Sequence, residues 1–374
     1  MGLIAYYAIF IINIILVITN KRIKIIAFAT FLFLGIIFCS NECVNGDWVN
    51  YKNFYDNFHV GSGMEIGYVA FGNLFKFLGL PFNAFLLFIY LACSIILYKG
   101  FKGYNLNYHI LFSLLMPYIF PFLAFTLRYL IGLSIIIYAF LIYLRDGKSL
   151  KYLCLVVIAA LFHKTMLLYV LLLLVNRRFT KRPKAIYHID HKLVIAIFSL
   201  SIFISIIAIF NGNSIPFMMQ FTQMISRVIP SLSGKLEYYL TTKTQLGFLA
   251  IYIIYFMGLA CVIFINKKET NSFNYKKMQY RGNIITIDGC MQSFLIMSIF
   301  LPLVLVNLTF FRYFIVIYLL LCVGCSCSKK AVDSLDVRFV VFLAVLVWFI
   351  PERMFLFSVD INNLVSHSFY FNWT

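Results

Sequence analysis
The chain has 374 residues, of which 63% are hydrophobic and 19% aromatic but only 12% charged, and its mean hydropathy is +0.94. Apolar runs near twenty residues recur along almost the whole length, which describes an all-α polytopic membrane protein, a single integral membrane domain over 1–374, and leaves no room for a separate soluble domain. The net charge of +18 would suggest nucleic acid in a soluble protein, but here the basic residues sit in short loops between spans, where positive-inside bias accounts for them without a nucleic-acid partner.

The first apolar run, Leu3 to Thr19, has no basic region before it and reads as a retained helix rather than a cleaved signal. It ends at Lys21-Arg22-Ile23-Lys24, and a second helix follows over 25–39. With that basic turn inside, the N-terminus and the loop from Ser40 to about Glu65 lie outside. The loop concentrates Asp47, Asp56 and Glu65 with Trp48, Tyr51, Tyr55 and Tyr68 just beyond.

The next apolar piece, Ile66 to Leu80, is short and carries Gly67, Gly72 and Gly79 before Pro81. It is read as a half-helix dipping from outside, since irregular backbone at membrane depth needs protein or a cavity to satisfy it. A third helix (83–98) runs in to Lys99 and Lys102. The fourth (109–126) returns outward through Pro117 and Pro121, where kinks are expected. The fifth (127–144) opens with Arg128 at its outer end and finishes at Arg145, Lys148 and Lys151.

A conflict follows. Lys151 and the basic run Arg177, Arg178, Lys181, Arg182, Lys184 flank one apolar run, yet both flanks look cytoplasmic. Splitting the run at His163-Lys164 gives two arms of about 17 Å each, roughly half the hydrocarbon thickness. A re-entrant pair with His163 at its tip resolves the conflict; one ordinary span with a frustrated flank is the alternative.

Further helices are expected over 192–210, 246–265, 291–306, 309–326 and 339–357, with a second outer loop at 211–245 that holds Tyr238. That makes about ten transmembrane helices, with both termini outside. About 22 of the 31 Lys and Arg residues then fall inside, which is the bias the orientation requires. Cys322, Cys325 and Cys327 cluster at one helix end, but no fourth ligand follows at metal spacing, so no metal site and no cofactor is read from them.

On this topology the unusual polar groups converge on one outward-facing cavity. Arg128 and Arg312 begin descending helices at the same depth, and His163 points up from below. Charged groups inside spans line polar cavities or meet ionic partners. Two guanidinium forks suit a phosphate or diphosphate better than lysine does, with Lys164 close by; snorkelling to the outer headgroups is the plainer alternative for the arginines. His163 is a candidate proton carrier, or else a core histidine bonded to a carbonyl. Asp47 and Glu65 are candidate catalytic carboxylates. Trp48, Tyr51, Tyr55, Tyr68, Tyr238 and Tyr313 are candidate sugar contacts, although the aromatic residues of the outer loop equally suit an interfacial belt.

In order and spacing, these residues resemble the EpsG/Wzy-type polysaccharide repeat-unit polymerases. The match is carried by Asp47, Tyr51 and Tyr55 in D-x-x-x-Y-x-x-x-Y, by Glu65-x-Gly67-Tyr68, by LRYLIG at Arg128, by AALFHKT ending at Thr165, and by FFRY at Arg312-Tyr313. The family pattern commonly has Arg-Gln where this chain has Arg128-Tyr129, a departure that concerns the neighbour and not the arginine. The resemblance implies a GT-C-like fold in a bacterial inner membrane, with the active site facing the periplasm or exterior. The activity it implies is polymerisation of undecaprenyl-diphosphate-linked oligosaccharide repeat units, with a chain-length regulator protein as a further partner. On the same resemblance Arg128 and Arg312 face the leaving diphosphate, and Glu65, Asp47 or His163 serves as base. A lipid-linked oligosaccharide flippase, an O-antigen ligase and a membrane O-acyltransferase are the rival readings; no internal repeat supports the flippase.

Overall fold
The computed structural model describes residues 2–39, 46–57, 64–102, 106–116, 126–173 and 312–327, with single positions in 120–123, 196–207 and 293–300. Helices α1 (Gly2–Ile18) and α2 (Lys24–Cys39) agree with the expected first pair to within a residue or two. Then come α3 (Gly46–Asn57), α4 (Ile66–Phe77), α5 (Phe82–Phe101), α6 (Tyr108–Leu115), α7 (Leu127–Asp146) and α8 (Ser149–Phe162). A 3-10 helix, Lys164–Leu171, follows, and α9 (Arg312–Cys327) completes the described set. No strand occurs among the described residues. Among the described residues two helices, α5 and α7, are long and apolar enough to cross a membrane by themselves.

Helix α7 is the centre of the bundle. Apart from Arg128 and Tyr138, every residue from Leu127 to Leu144 is buried, as befits a helix that is hydrophobic all round. It packs against α5 and α8. Its end is set by Gly147, whose left-handed backbone (φ +69°) lets its N–H return to the Tyr143 carbonyl at 2.8 Å.

The expected half-helix is α4, whose 12 residues span about 18 Å and fall short of a crossing. It stops in a Schellman turn: Gly79 N–H bonds Lys76 O at 2.9 Å, Leu80 N–H bonds Phe75 O at 3.1 Å, and Pro81 then prevents continuation. The first part of the stretch read from sequence as an outer loop contains α3. Its residues lie over the α4–α5 turn: the Tyr55 hydroxyl donates to Leu80 O at 2.6 Å, the Lys76 ammonium donates to Asp56 O, and the Tyr55 ring stacks on Phe85 at 5.2 Å. Within the fourth expected helix, α6 ends at Leu115, just before Pro117, which has no N–H to carry the ladder on; Phe120 and Leu123 beyond it are again helical.

The expected reversal at His163 is present in the chain path. The Tyr152 hydroxyl donates to Tyr169 O at 2.7 Å, although a straight helix would hold residues 17 apart at about 25 Å. His163 makes the turn in extended conformation (φ −155°, ψ 114°). The returning arm is 3-10 rather than α, and its side chains show why. Met166, Tyr169 and Leu172, each three residues apart, are all fully buried, and three residues per turn bring them onto one face.

A buried polar cluster joins α1, α2 and α6 away from this turn. His109 Nε2 accepts the Ile23 N–H at 3.1 Å, so its proton sits on Nδ1 and is given to Asn13 Oδ1 at 2.7 Å. Asn13 Nδ2 in turn donates to Thr30 Oγ1 at 3.0 Å and Ile9 O at 2.9 Å. The expected spans at 246–265 and 339–357 and the loop at 211–245 lie outside the described residues. Only single positions of those at 192–210 and 291–306 are described.

Candidate active site
Glu65 stands at the N-cap of α4 in extended conformation, and its side chain makes no capping bond to its own helix. The carboxylate instead forms an ion pair with Arg128, the second residue of α7. Arg128 Nε donates to the Tyr51 hydroxyl at 3.3 Å, and the guanidinium carbon lies 5.5 Å from the Tyr51 ring centroid. Side-chain exposure is 24% for Arg128 and 11% for Glu65, so the pair is largely but not wholly withdrawn from solvent.

His163 faces this pair from the turn between α8 and the 3-10 helix. Its Nδ1 lies 2.6 Å from Thr165 Oγ1, and its ring meets Tyr129 edge-on at 5.3 Å. A hydroxyl either gives or takes a hydrogen, so Thr165 holds the ring in place while allowing either tautomer. Glu65, Arg128 and Arg312 act electrostatically on the imidazole. Residues 65, 128, 163 and 312, drawn from four separate elements, therefore share one site.

Two glycines bring the turn this close. A Cβ on Gly67 would lie 2.9 Å from the backbone oxygen of Leu161, and one on Gly132 would lie 2.8 Å from Met166 Cγ and 3.2 Å from Ala159 O. The tip of the α8 arm is thus seated directly on the first turns of α4 and α7, the turns that follow Glu65 and Arg128. The Phe71–Phe162 contact at 5.6 Å extends the α4 side of the seat.

The other sequence candidates are placed less uniformly. Tyr51, Tyr55 and Tyr68 are buried; their rings pack on one another and on Phe54, Phe82 and Phe85. The Tyr68 hydroxyl has no hydrogen-bond partner among the described residues. Tyr313 is half-buried and packs on Phe300 at 5.9 Å. Lys164, next to His163 in the chain, is exposed. Asp47 and Trp48 lie on α3, Asp47 one turn before Tyr51, but their side chains and all of Tyr238 fall outside the described residues. Cys322 is buried in α9.

Sequence reasoning passed over Tyr129, Tyr169 and Thr165. The Tyr129 hydroxyl donates to Arg312 O, and Tyr169 donates to Tyr313 O at 3.1 Å. The available signal was a tyrosine inside an apolar run, since a buried phenol needs an acceptor.

An EpsG family model matches residues 24–369, nearly the entire chain and all of the site. The chain belongs to the EpsG family. This is the family of Wzy-type polysaccharide polymerases, and it agrees with a polymerase of glycosyltransferase type in a membrane. No curated protein and no solved structure matches the chain. In this EpsG-family chain Glu65 pairs with Arg128, both act electrostatically on His163, and Tyr129 ties the start of α9, at Arg312, beside them.

Proposed function
We propose that this EpsG-family protein polymerises undecaprenyl-diphosphate-linked oligosaccharide repeat units at the outer face of a bacterial inner membrane. The observation that carries the reading is the Glu65–Arg128 ion pair beside His163, on which Arg312 also acts. The acceptor hydroxyl of one lipid-linked unit attacks the anomeric carbon of the growing chain. The bond from that carbon to the diphosphate oxygen breaks, and the electron pair leaves with undecaprenyl diphosphate. Negative charge builds on the leaving group as the bond lengthens, and fixed guanidinium groups stabilise it there.

The ion pair gives this scheme an order. A diphosphate carries more charge than a carboxylate and competes with Glu65 for the Arg128 fork. Arrival of the donor therefore releases a Glu65 oxygen to accept the acceptor's proton. His163, on which Glu65, Arg128 and Arg312 all act electrostatically, passes that proton on, with Thr165 accommodating either tautomer. Asp47, one helical turn from Tyr51, is the second choice of base. Trp48, Tyr238 and Tyr313 are the aromatic groups assigned to the sugars, and the bundle around α7 is assigned the GT-C-like fold of about ten spans.

The test uses purified protein in detergent with undecaprenyl-diphosphate-linked repeat units, scoring bound donor and polymer separately. Polymer that requires Arg128, Arg312 and Glu65 supports the reading. Donor carried across vesicle membranes without linkage would establish the flippase instead.

A further inference from the structure
Three tyrosines form a hydrogen-bonded path through the core to the start of α9. Tyr152 on α8 donates to the Tyr169 carbonyl at 2.7 Å, and the Tyr169 hydroxyl donates to the Tyr313 carbonyl at 3.1 Å. The Tyr129 hydroxyl, 3.3 Å from that of Tyr169, donates to the Arg312 carbonyl. Tyr129, Tyr152 and Tyr169 are all at most 1% exposed. Carbonyls in the first turn of a helix already accept from N–H groups four residues on, so α9 does not need these phenols to complete its ladder. Their hydrogen bonds use the second lone pairs, and what they add is placement of the helix start.

The anchors come from the same elements that carry the rest of the site. Tyr129 adjoins Arg128 on α7, and its ring also meets His163; Tyr169 lies on the arm returning from His163. We propose that Tyr129 and Tyr169 are positioning residues that fix Arg312 relative to Arg128, setting the spacing of two guanidinium groups for a ligand with two linked phosphates. This rests on the diphosphate reading above. A monophosphate is held by one arginine and is indifferent to that spacing; a diphosphate reaches both and depends on it.

The experiment measures Kd for two probes, undecaprenyl diphosphate and undecaprenyl monophosphate, with the full chain in detergent. Tyr129→Phe and Tyr169→Phe keep the rings and remove the hydroxyls. Each is expected to weaken diphosphate binding about three- to tenfold, the range for loss of one hydrogen bond, and to leave monophosphate binding unchanged. Combined with Arg312→Lys, neither should weaken diphosphate binding further, because the tyrosines act through Arg312. Tyr90→Phe removes a comparable phenol-to-carbonyl bond, 2.7 Å to Phe31 O, far along the chain from the site, and should change neither Kd.

Equal losses for both probes, or losses that add to that of Arg312→Lys, would show packing roles only and overturn the proposal. So would wild-type diphosphate affinity in Tyr169→Phe, the variant that decides the matter should Tyr129→Phe fail to accumulate. If Arg128→Lys and Arg312→Lys themselves bind diphosphate normally, the diphosphate reading fails and the positioning role falls with it.

Discussion

Glu65 and Arg128 are 63 residues apart in the chain, yet they close an ion pair between the N-cap of α4 and the first turn of α7. Neither residue spends its charge on its own helix. Glu65 makes no cap bond, and Arg128 at a helix N-terminus is at the end that disfavours cations. A pairing that local helix chemistry does not favour is held by the tertiary contacts around it.

Glu65→Gln removes the carboxylate while keeping its shape. Donor binding should be retained or tightened, because Arg128 no longer has a competing anion, and polymer formation should fall by about 10²–10⁴-fold, the usual range for a general base. Separate assays of bound donor and polymer check this. Wild-type polymerisation would transfer the base role to Asp47.

Arg128→Lys and Arg312→Lys keep the charge but replace a planar fork with a point. Polymer formation should drop by about 10²–10³-fold in each, comparable to losing one preorganised transition-state donor, while the protein still inserts and accumulates. Full activity in both variants would leave snorkelling as the explanation for the arginines.

Gly67→Ala places a methyl group against the Leu161 backbone, which cannot step aside, and should destabilise the protein by about 1–3 kcal/mol while lowering polymer formation. Gly72→Ala is the contrast. Its Cβ meets the nearest atom, on Phe54, at 3.8 Å, an ordinary contact, and alanine favours the helix, so stability should hold or rise. Thermal unfolding in detergent distinguishes the two.

His109→Leu should cost about 1–3 kcal/mol, because it strands the buried Asn13 Oδ1 and removes the acceptor of the part-buried Ile23 N–H. The check is the unfolding midpoint. A midpoint unchanged from wild type would mean that the cluster joining α1, α2 and α6 contributes little.

Topology is testable by labelling single cysteines in a cysteine-free background. Lys148→Cys and Thr180→Cys should both react from the cytoplasmic side, because the chain turns back at His163, and Asn53→Cys on the exposed side of α3 should react only from outside. Opposite sidedness for 148 and 180 would make the run between them a crossing.

Hydropathy and charge by themselves determined the helical membrane class, the first two helices, α5, α7, the short α4 and the reversal at His163. These depend on terms local in the chain: about twenty apolar residues to cross, too few to do so in α4, and basic flanks that demand the same side. The same local reading missed α3. Its polar composition suggested a loop, although Asp47, Tyr51 and Tyr55 at intervals of four already mark one helical face.

Only the tertiary structure decided that Glu65 pairs with Arg128, that Tyr51, Tyr55 and Tyr68 are buried, and that Tyr129 reaches a carbonyl 183 residues away. The physical reason is that a side chain's partner depends on which helices pack together and how closely. Here that closeness was set by Gly67 and Gly132, two absent side chains that let the His163 turn descend onto α4 and α7.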